Sequence, residues 1–402
     1  MAILLGSSSM PPGDTYDRAR AFTRNIEFDY VSWTLDALGI KTDQIALGTI
    51  DYLSPGEQHQ VVTDYLDLVV QIQRAEAQLN DIYADPKISD PQSASTSLRD
   101  QLQALYKRRG LLQPVAEAVV QEQVSEVAAS LGLTLGGQPV PPVLFHSTPL
   151  PLALIISPRD KISQVADISL LPDLSVDQQV ALEERVDKAL NVSSLVVPVG
   201  GVGLYPTMVQ QTTNLNWLFE VVSHEWTHNF LTLRPLGISY MNSPQLRTMN
   251  ETTASIAGKE IGQAVIKRYY PELVPPAPAP GDANAPAQQP AAPVFDFNAE
   301  MRTTRVNVDQ MLAEGKIDQA EQYMEARRVF FWDNGYHIRK LNQAYFAFYG
   351  AYADQPGGAA GEDPVGAAVR ALRGESPDLA AFLKRISWMW SFRQLQQAVG
   401  TG

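Results

Sequence analysis

Val221-Val222-Ser223-His224-Glu225-Trp226-Thr227-His228-Asn229-Phe230 carries a His-Glu-x-x-His pattern. On a helix, His224 and His228 fall one turn apart on a single face, so both imidazoles can grip one metal ion. Zn²⁺ is the usual occupant of such a pair, one per chain. Glu225 stands next to the first His, beside the metal's open position, where it can act as general base on a bound water. The helix itself is well signalled. Asn214 or Asn216 can cap its start, Leu215 to Leu233 contains no Gly or Pro, and Pro235 and Gly237 end it. Leu218, Val221, Val222, Trp226, Phe230 and Leu233 cover much of its surface, so the helix is expected to be buried. Buried polar groups need partners, and leaving one without a hydrogen bond costs roughly 2–7 kcal/mol. The bland alternative to a metal site is a pair of core histidines.

Two His leave a catalytic zinc one protein ligand short. The next acidic residue along the chain is Glu251, in Met249-Asn250-Glu251-Thr252-Thr253-Ala254-Ser255. Asn242, Ser243 and Pro244 are turn and helix-start signals, and Leu246 to Tyr270 reads as a second helix stopped by Pro271. A short link and an antiparallel return helix would bring Glu251 back to the two His.

His-Glu-x-x-His followed downstream by Asn-Glu resembles the gluzincin group of zinc metallopeptidases, which includes thermolysin-like and aminopeptidase-like enzymes. The resemblance covers residues 217–258. It implies a zincin-like metallopeptidase core, with His224, His228 and Glu251 as zinc ligands, Glu225 as base, and a peptide or protein as substrate. Thermolysin-like members carry an Asp four residues after the ligand Glu, where it orients a ligand His; here Ser255 stands at that place. A Ser can accept the His N–H but gives less charge support.

The chain has 402 residues, enough for two or three domains. Its net charge of −13 argues against nucleic acid as a partner and against adsorption to anionic lipid. There are no cysteines, which excludes disulfides, Cys-ligated zinc and a Cys nucleophile. No apolar run is long enough for a transmembrane segment. Met1-Ala2-Ile3-Leu4-Leu5-Gly6 is too short for a signal-peptide core and lacks preceding basic residues. It reads as the stub of a removed export signal or anchor, or simply as the chain's start. An extracytoplasmic or membrane-tethered location is favoured over a cytoplasmic one.

The expected fold is mainly α with a small β-sheet (α+β), the core being flanked by helical subdomains. Residues 1–14 are Ser/Pro/Gly-rich and expected to be flexible. Residues 15–132 read as a helical subdomain: a helix from Tyr16 to about Leu38, one opened by Ser54-Pro55-Gly56-Glu57, and one from Ser97 to about Leu131, broken at Gly110 and Pro114. His59 reads as a surface residue. Residues 140–273 form the expected catalytic core, with strands at Val143-Leu144-Phe145, 152–156 and 195–199 and a helix from Ser175 to Leu190. Gly200, Gly201 and Gly203 precede the His-bearing helix; in the resembled family an edge strand here pairs with substrate, and glycines would let a peptide approach closely. The plain alternative is a loop or hairpin.

Residues 274–294 are a Pro/Ala-rich tract, read as an external loop. Residues 295–402 then form a C-terminal helical subdomain completing the cleft. It contains a helical hairpin over 298–332, a break at Asp333-Asn334-Gly335, and a helix resuming at Tyr336-His337-Ile338-Arg339-Lys340. Gly357 to Gly361 reads as a loop, and Trp388, Trp390 and Phe392 as a core helix rather than a membrane-facing stripe. Peptide hydrolysis builds an oxyanion that a nearby donor must stabilise. The resembled enzymes supply a Tyr or His from downstream of the third ligand; Tyr336 and His337 are the leading candidates, with Arg339 and Tyr345 near them. The competing reading is a helical binding or scaffold protein with a structural or vestigial zinc site. A structural site is normally closed by four protein ligands and has no need of Glu225.

Overall fold

The structure is a computed structural model and describes residues 15–84, 90–274, 295–351 and 363–400. The first 14 residues, nearly all of the Pro/Ala tract and the 357–361 segment lie outside the described residues. In chain order the elements are α1 (Thr15–Thr23), α2 (Tyr30–Leu47), α3 (Pro55–Ala84), α4 (Pro91–Ala94), α5 (Thr96–Ser130), β1 (Phe145–Ser147), β2 (Leu152–Pro158) and β3 (Ala166–Leu170). They continue as α6 (Val176–Leu190), β4 (Val192–Pro198), β5 (Gly201–Val202), β6 (Thr207–Val209), α7 (Leu215–Thr232), α8 (Pro235–Ile238) and α9 (Pro244–Tyr269). The chain closes with α10 (Phe297–Ala313), α11 (Ile317–Asp333), α12 (Gln343–Tyr349), α13 (Pro364–Glu375), α14 (Leu379–Ile386) and α15 (Phe392–Ala398). The architecture is mainly helical with two small sheets, an α+β arrangement.

One sheet is antiparallel in the order β3-β2-β4; the other is mixed, β1-β6-β5, with β1 parallel to β6 and β5 antiparallel to it. β2 is buried along its length, as the central strand of a sheet covered on both faces must be. Leu154, Ile156 and Val196 face Ala19 of α1 and Leu182 and Val186 of α6. On the other face Ala153, Ile155, Leu195 and Val197 meet Ala344 and Phe348 of α12. Elements from both ends of the chain therefore sandwich this sheet. The largest core joins α5, α7, α9, α13 and α14 through Val124, Phe219, Val222, Ile261, Val369 and Phe382.

The caps form where the sequence places them. Asn214 accepts from Trp217 N at the start of α7, Ser243 accepts from Leu246 N at the start of α9, and Ser54 and Glu57 exchange hydrogen bonds before α3. Four local expectations are corrected. The expected 16–38 helix is split between α1 and α2, because residues 24–29 cross beside β3: Glu27 bridges Leu170 and Phe28 N donates to Ser169 O. α5 runs unbroken through Gly110 and Pro114. Residues 336–340 are not helical: Arg339 and Lys340 reach across to Glu183 of α6, and the helix begins only where Asn342 caps it. Trp388 and Trp390 also fall outside any helix, 63% and 54% exposed in the link between α14 and α15.

α2, α5 and β1 are pinned by a buried ion pair. Lys41 Nζ lies 2.5 Å from Glu117 Oε2, and each side chain is 2% exposed. Glu117 also accepts from Ser147 N at 2.8 Å and faces His146 Nδ1 at 3.2 Å. Burial works to raise the Glu117 pKa, but Lys41 and His146 outweigh it and hold the carboxyl down at about 2. Because this lies below the ordinary value of 4.5, the stabilisation is present above pH 4.5 and is lost as the pH falls toward 2. Lys41→Met strands a buried carboxylate and should destabilise the fold by about 3–5 kcal/mol. Adding Glu117→Gln should recover part of that loss. Urea unfolding checks both, and equal losses in the single and double variants would refute the pairing.

Candidate metal centre

α7 and α9 lie antiparallel, since Phe219 and Glu220 meet Gly262 while His228 meets Asn250. Their backbones approach closely through two glycines. A Cβ on Gly258 would stand 2.8 Å from Glu220 O and 3.0 Å from His224 Cβ, and one on Gly262 would stand 2.9 Å from Glu220 N. Only glycine admits that approach. It brings His224, His228 and Glu251 into one group, the single cluster of potential metal ligands among the described residues.

His224 Nε2 and His228 Nε2 are 3.1 Å apart, and Glu251 Oε2 lies 3.6 Å from the first and 3.4 Å from the second. Ligand atoms about 2.1 Å from one ion at tetrahedral angles stand about 3.4 Å from one another, so the three atoms fit one face of a tetrahedron. Glu251 Oε2 is buried, makes no hydrogen bond and faces the two Nε2 atoms, as an oxygen that shares a cation with them would. The donor set, two imidazoles and a carboxylate, suits zinc.

The ligands are themselves held. His228 Nδ1 lies 2.7 Å from Asn250 Oδ1, and Asn250 Nδ2 donates to Leu236 O at 3.3 Å, which fixes the amide's orientation. Nδ1 of His228 therefore donates and Nε2 turns toward Glu251. Tyr240 Oη donates to Glu251 Oε1. Burial works to raise Glu251, but His228 and His224 outweigh it and keep the carboxyl well below its ordinary value. Burial works to lower His228, but Glu251 and Glu225 outweigh it and push the imidazole up to about 9. The field at this point favours positive charge.

Glu225 points from the same helix into a cleft of about 750 Å³ that the ligands share with β5, β3 and α12. It is 7% exposed, and no hydrogen bond to it is found among the described residues. Burial raises its pKa above the ordinary carboxylate value, with His224 and His228 opposing. A Cβ on Gly201 would come within 2.5 Å of Glu225 Oε1, and one on Gly203 within 3.1 Å of His228 Cβ. The glycine run thus carries a short edge strand pressed against Glu225, its outer edge without a strand partner among the described residues.

Of the residues singled out in the sequence, the structure brings together His224, Glu225, His228 and Glu251. It does not bring Tyr336 or His337 there. Tyr336 stacks on Phe297 with ring centroids 4.4 Å apart, and His337 packs on Trp332 at 4.0 Å. Neither lines the cleft. Tyr336 is held at the start of α10 and His337 at the end of α11. Arg339 is bound to Glu183, and His59 pairs with Glu272 at the surface. The cleft wall instead holds Tyr240, Arg247 and Tyr349, none of which was singled out for the site. Asn250, quoted in the motif, turns out to orient His228 in place of Ser255.

The chain matches no known protein family, no curated protein and no solved structure in the comparisons made. No helix among the described residues is long and apolar enough to cross a membrane.

Zinc titration should find about one tight site per chain, lost in His228→Ala and weakened in Glu251→Gln. Protons compete with the metal for His228, so affinity should rise about tenfold per pH unit as one proton is released, levelling near pH 9 where His228 becomes neutral. Calorimetry over pH 6–10 checks the slope; a flat profile would show that no proton leaves His228 on binding, and loss of the site in His228→Ala remains the test of ligation.

Proposed function

We propose that this chain is a zinc-dependent peptidase of the gluzincin kind, hydrolysing peptide bonds with Glu225 as general base on a zincin-like core. The observation that carries the reading is Glu225 itself: a buried carboxylate beside a three-ligand cluster, with no hydrogen bond among the described residues. A purely structural metal site has no use for such a group. The ligand count supports the same reading. Three protein ligands are what a catalytic zinc keeps, and four are what a structural one takes.

Zinc held by His224, His228 and Glu251 would polarise a carbonyl and lower the pKa of water toward about 7. Glu225 accepts a proton from the attacking water as the water oxygen bonds to the scissile carbonyl carbon. Its raised pKa makes it a stronger base than an ordinary carboxylate. It then passes that proton to the leaving amine as the C–N bond breaks. The outer edge of β5 offers backbone groups to an extended peptide, as strand addition requires. Tyr349 is the donor we assign to the developing oxyanion. It lines the cleft, burial keeps its phenol protonated, and its hydroxyl has no partner among the described residues.

Glu225→Gln keeps size and shape but accepts no proton. Its turnover of a mixed peptide library should fall by about 10²–10⁴ with zinc content unchanged. Tyr349→Phe should lose on the order of 10² in kcat. Wild-type rates in Glu225→Gln would overturn the mechanism, and loss of zinc from it would make Glu225 a structural residue.

A further inference from the structure

Glu251 has two oxygens, and the site uses them differently. Oε2 is buried without a hydrogen bond and faces the two Nε2 atoms. Oε1 accepts from Tyr240 Oη. Tyr240 is anchored in turn: Arg247 Nε donates to its hydroxyl at 3.3 Å, and Arg247 Nη1 donates to Ala347 O at 2.8 Å. The Tyr240 ring stands edge-on to His228, centroids 6.3 Å apart.

A carboxylate can hold a cation through one oxygen or through both. With two imidazoles present, two-oxygen ligation would fill the fourth position of a tetrahedral ion, the position that water and substrate need. We propose that Tyr240, braced by Arg247, is a positioning residue that engages Glu251 Oε1, restricts Glu251 to one-oxygen ligation and thereby keeps a coordination position open. This rests on reading His224, His228 and Glu251 as metal ligands. Tyr240 and Arg247 also wall the cleft off from a neighbouring cavity of about 420 Å³. A merely structural Tyr240 would do that with its ring alone, which Tyr240→Phe retains.

The test substitutes Co²⁺ for zinc in the full chain and reads its visible absorption, which is several-fold stronger for four-coordinate than for five-coordinate cobalt. Wild type should show the intense band, abolished by His228→Ala. Tyr240→Phe should bind one Co²⁺ with a band several-fold weaker, and its turnover should fall. An unchanged band at unchanged affinity would overturn the proposal. Should Tyr240→Phe fail to fold, infrared difference spectra of wild type with and without metal, assigned with Glu251→Gln, decide the matter. A wide carboxylate stretch splitting supports one-oxygen ligation and a narrow one overturns it. If wild type gives no band that depends on His228, the ligand reading itself has failed, which is a different result.

Discussion

The close approach of α7 and α9 through Gly258 and Gly262 is the constraint on which the rest of the site depends. Helices ordinarily pack with axes 8–10 Å apart, a spacing set by the side chains between them. Here no side chain intervenes at two successive turns, and the backbone of Glu220 rests directly against α9. The ligand triangle has edges of 3.1–3.6 Å. A single methyl group at either glycine would push the helices apart by a sizeable fraction of that. The metal-ligand geometry is therefore written as much in two residues without side chains as in the three that carry the donors.

The remaining contacts keep that geometry from relaxing. Trp226 Nε1 donates to Pro141 O, and Asn229 Nδ2 donates to Leu204 O and Thr207 Oγ1, tying α7 to the segment ahead of β1 and to the β5–β6 turn. The apolar face of α7 runs into the main core through Phe219 and Val222. The helix is held on the sides away from the cleft, and its polar residues occupy the side that remains. Charge follows the same division, since Glu225 and Glu251 are buried on the face where His224 and His228 can offset them.

What was legible in the sequence is what local rules govern. The caps at Asn214, Ser54 and Ser243, the extent of α7 and α9, and the return of Glu251 to the His pair all follow from residues within a turn or one helix of each other. Failures came where a distant partner decides. Residues 336–340 have helical spacing, yet Glu183, some 150 positions earlier, binds Arg339 and Lys340 and pulls them out of a helix. Tyr336 and His337 looked suited to chemistry, but the aromatic rings of Phe297 and Trp332 claim them. Tyr349 reaches the cleft only because α12 packs on the β2–β4 face, a placement that no spacing within residues 295–402 reveals. Asn250 was visible in the motif, but its role was not: the expected orienter was at Ser255, and the structure supplies an amide next to the ligand instead.

Glu117 and Glu225 are two buried carboxylates in opposite surroundings. A carboxylate this buried is tolerated when it is hydrogen-bonded or ion-paired, as Glu117 is by Lys41, Ser147 and Gln113. Glu225 has no such partners among the described residues and is raised in pKa, whereas Glu117 is lowered. One carboxylate is held entirely by protein groups, and the other faces the cleft. The second sits beside the His224, His228 and Glu251 group, under a glycine strand that leaves it room. A cleft carboxylate with a raised pKa is the kind of group found at functional sites, and that is the support it lends to the peptidase we propose.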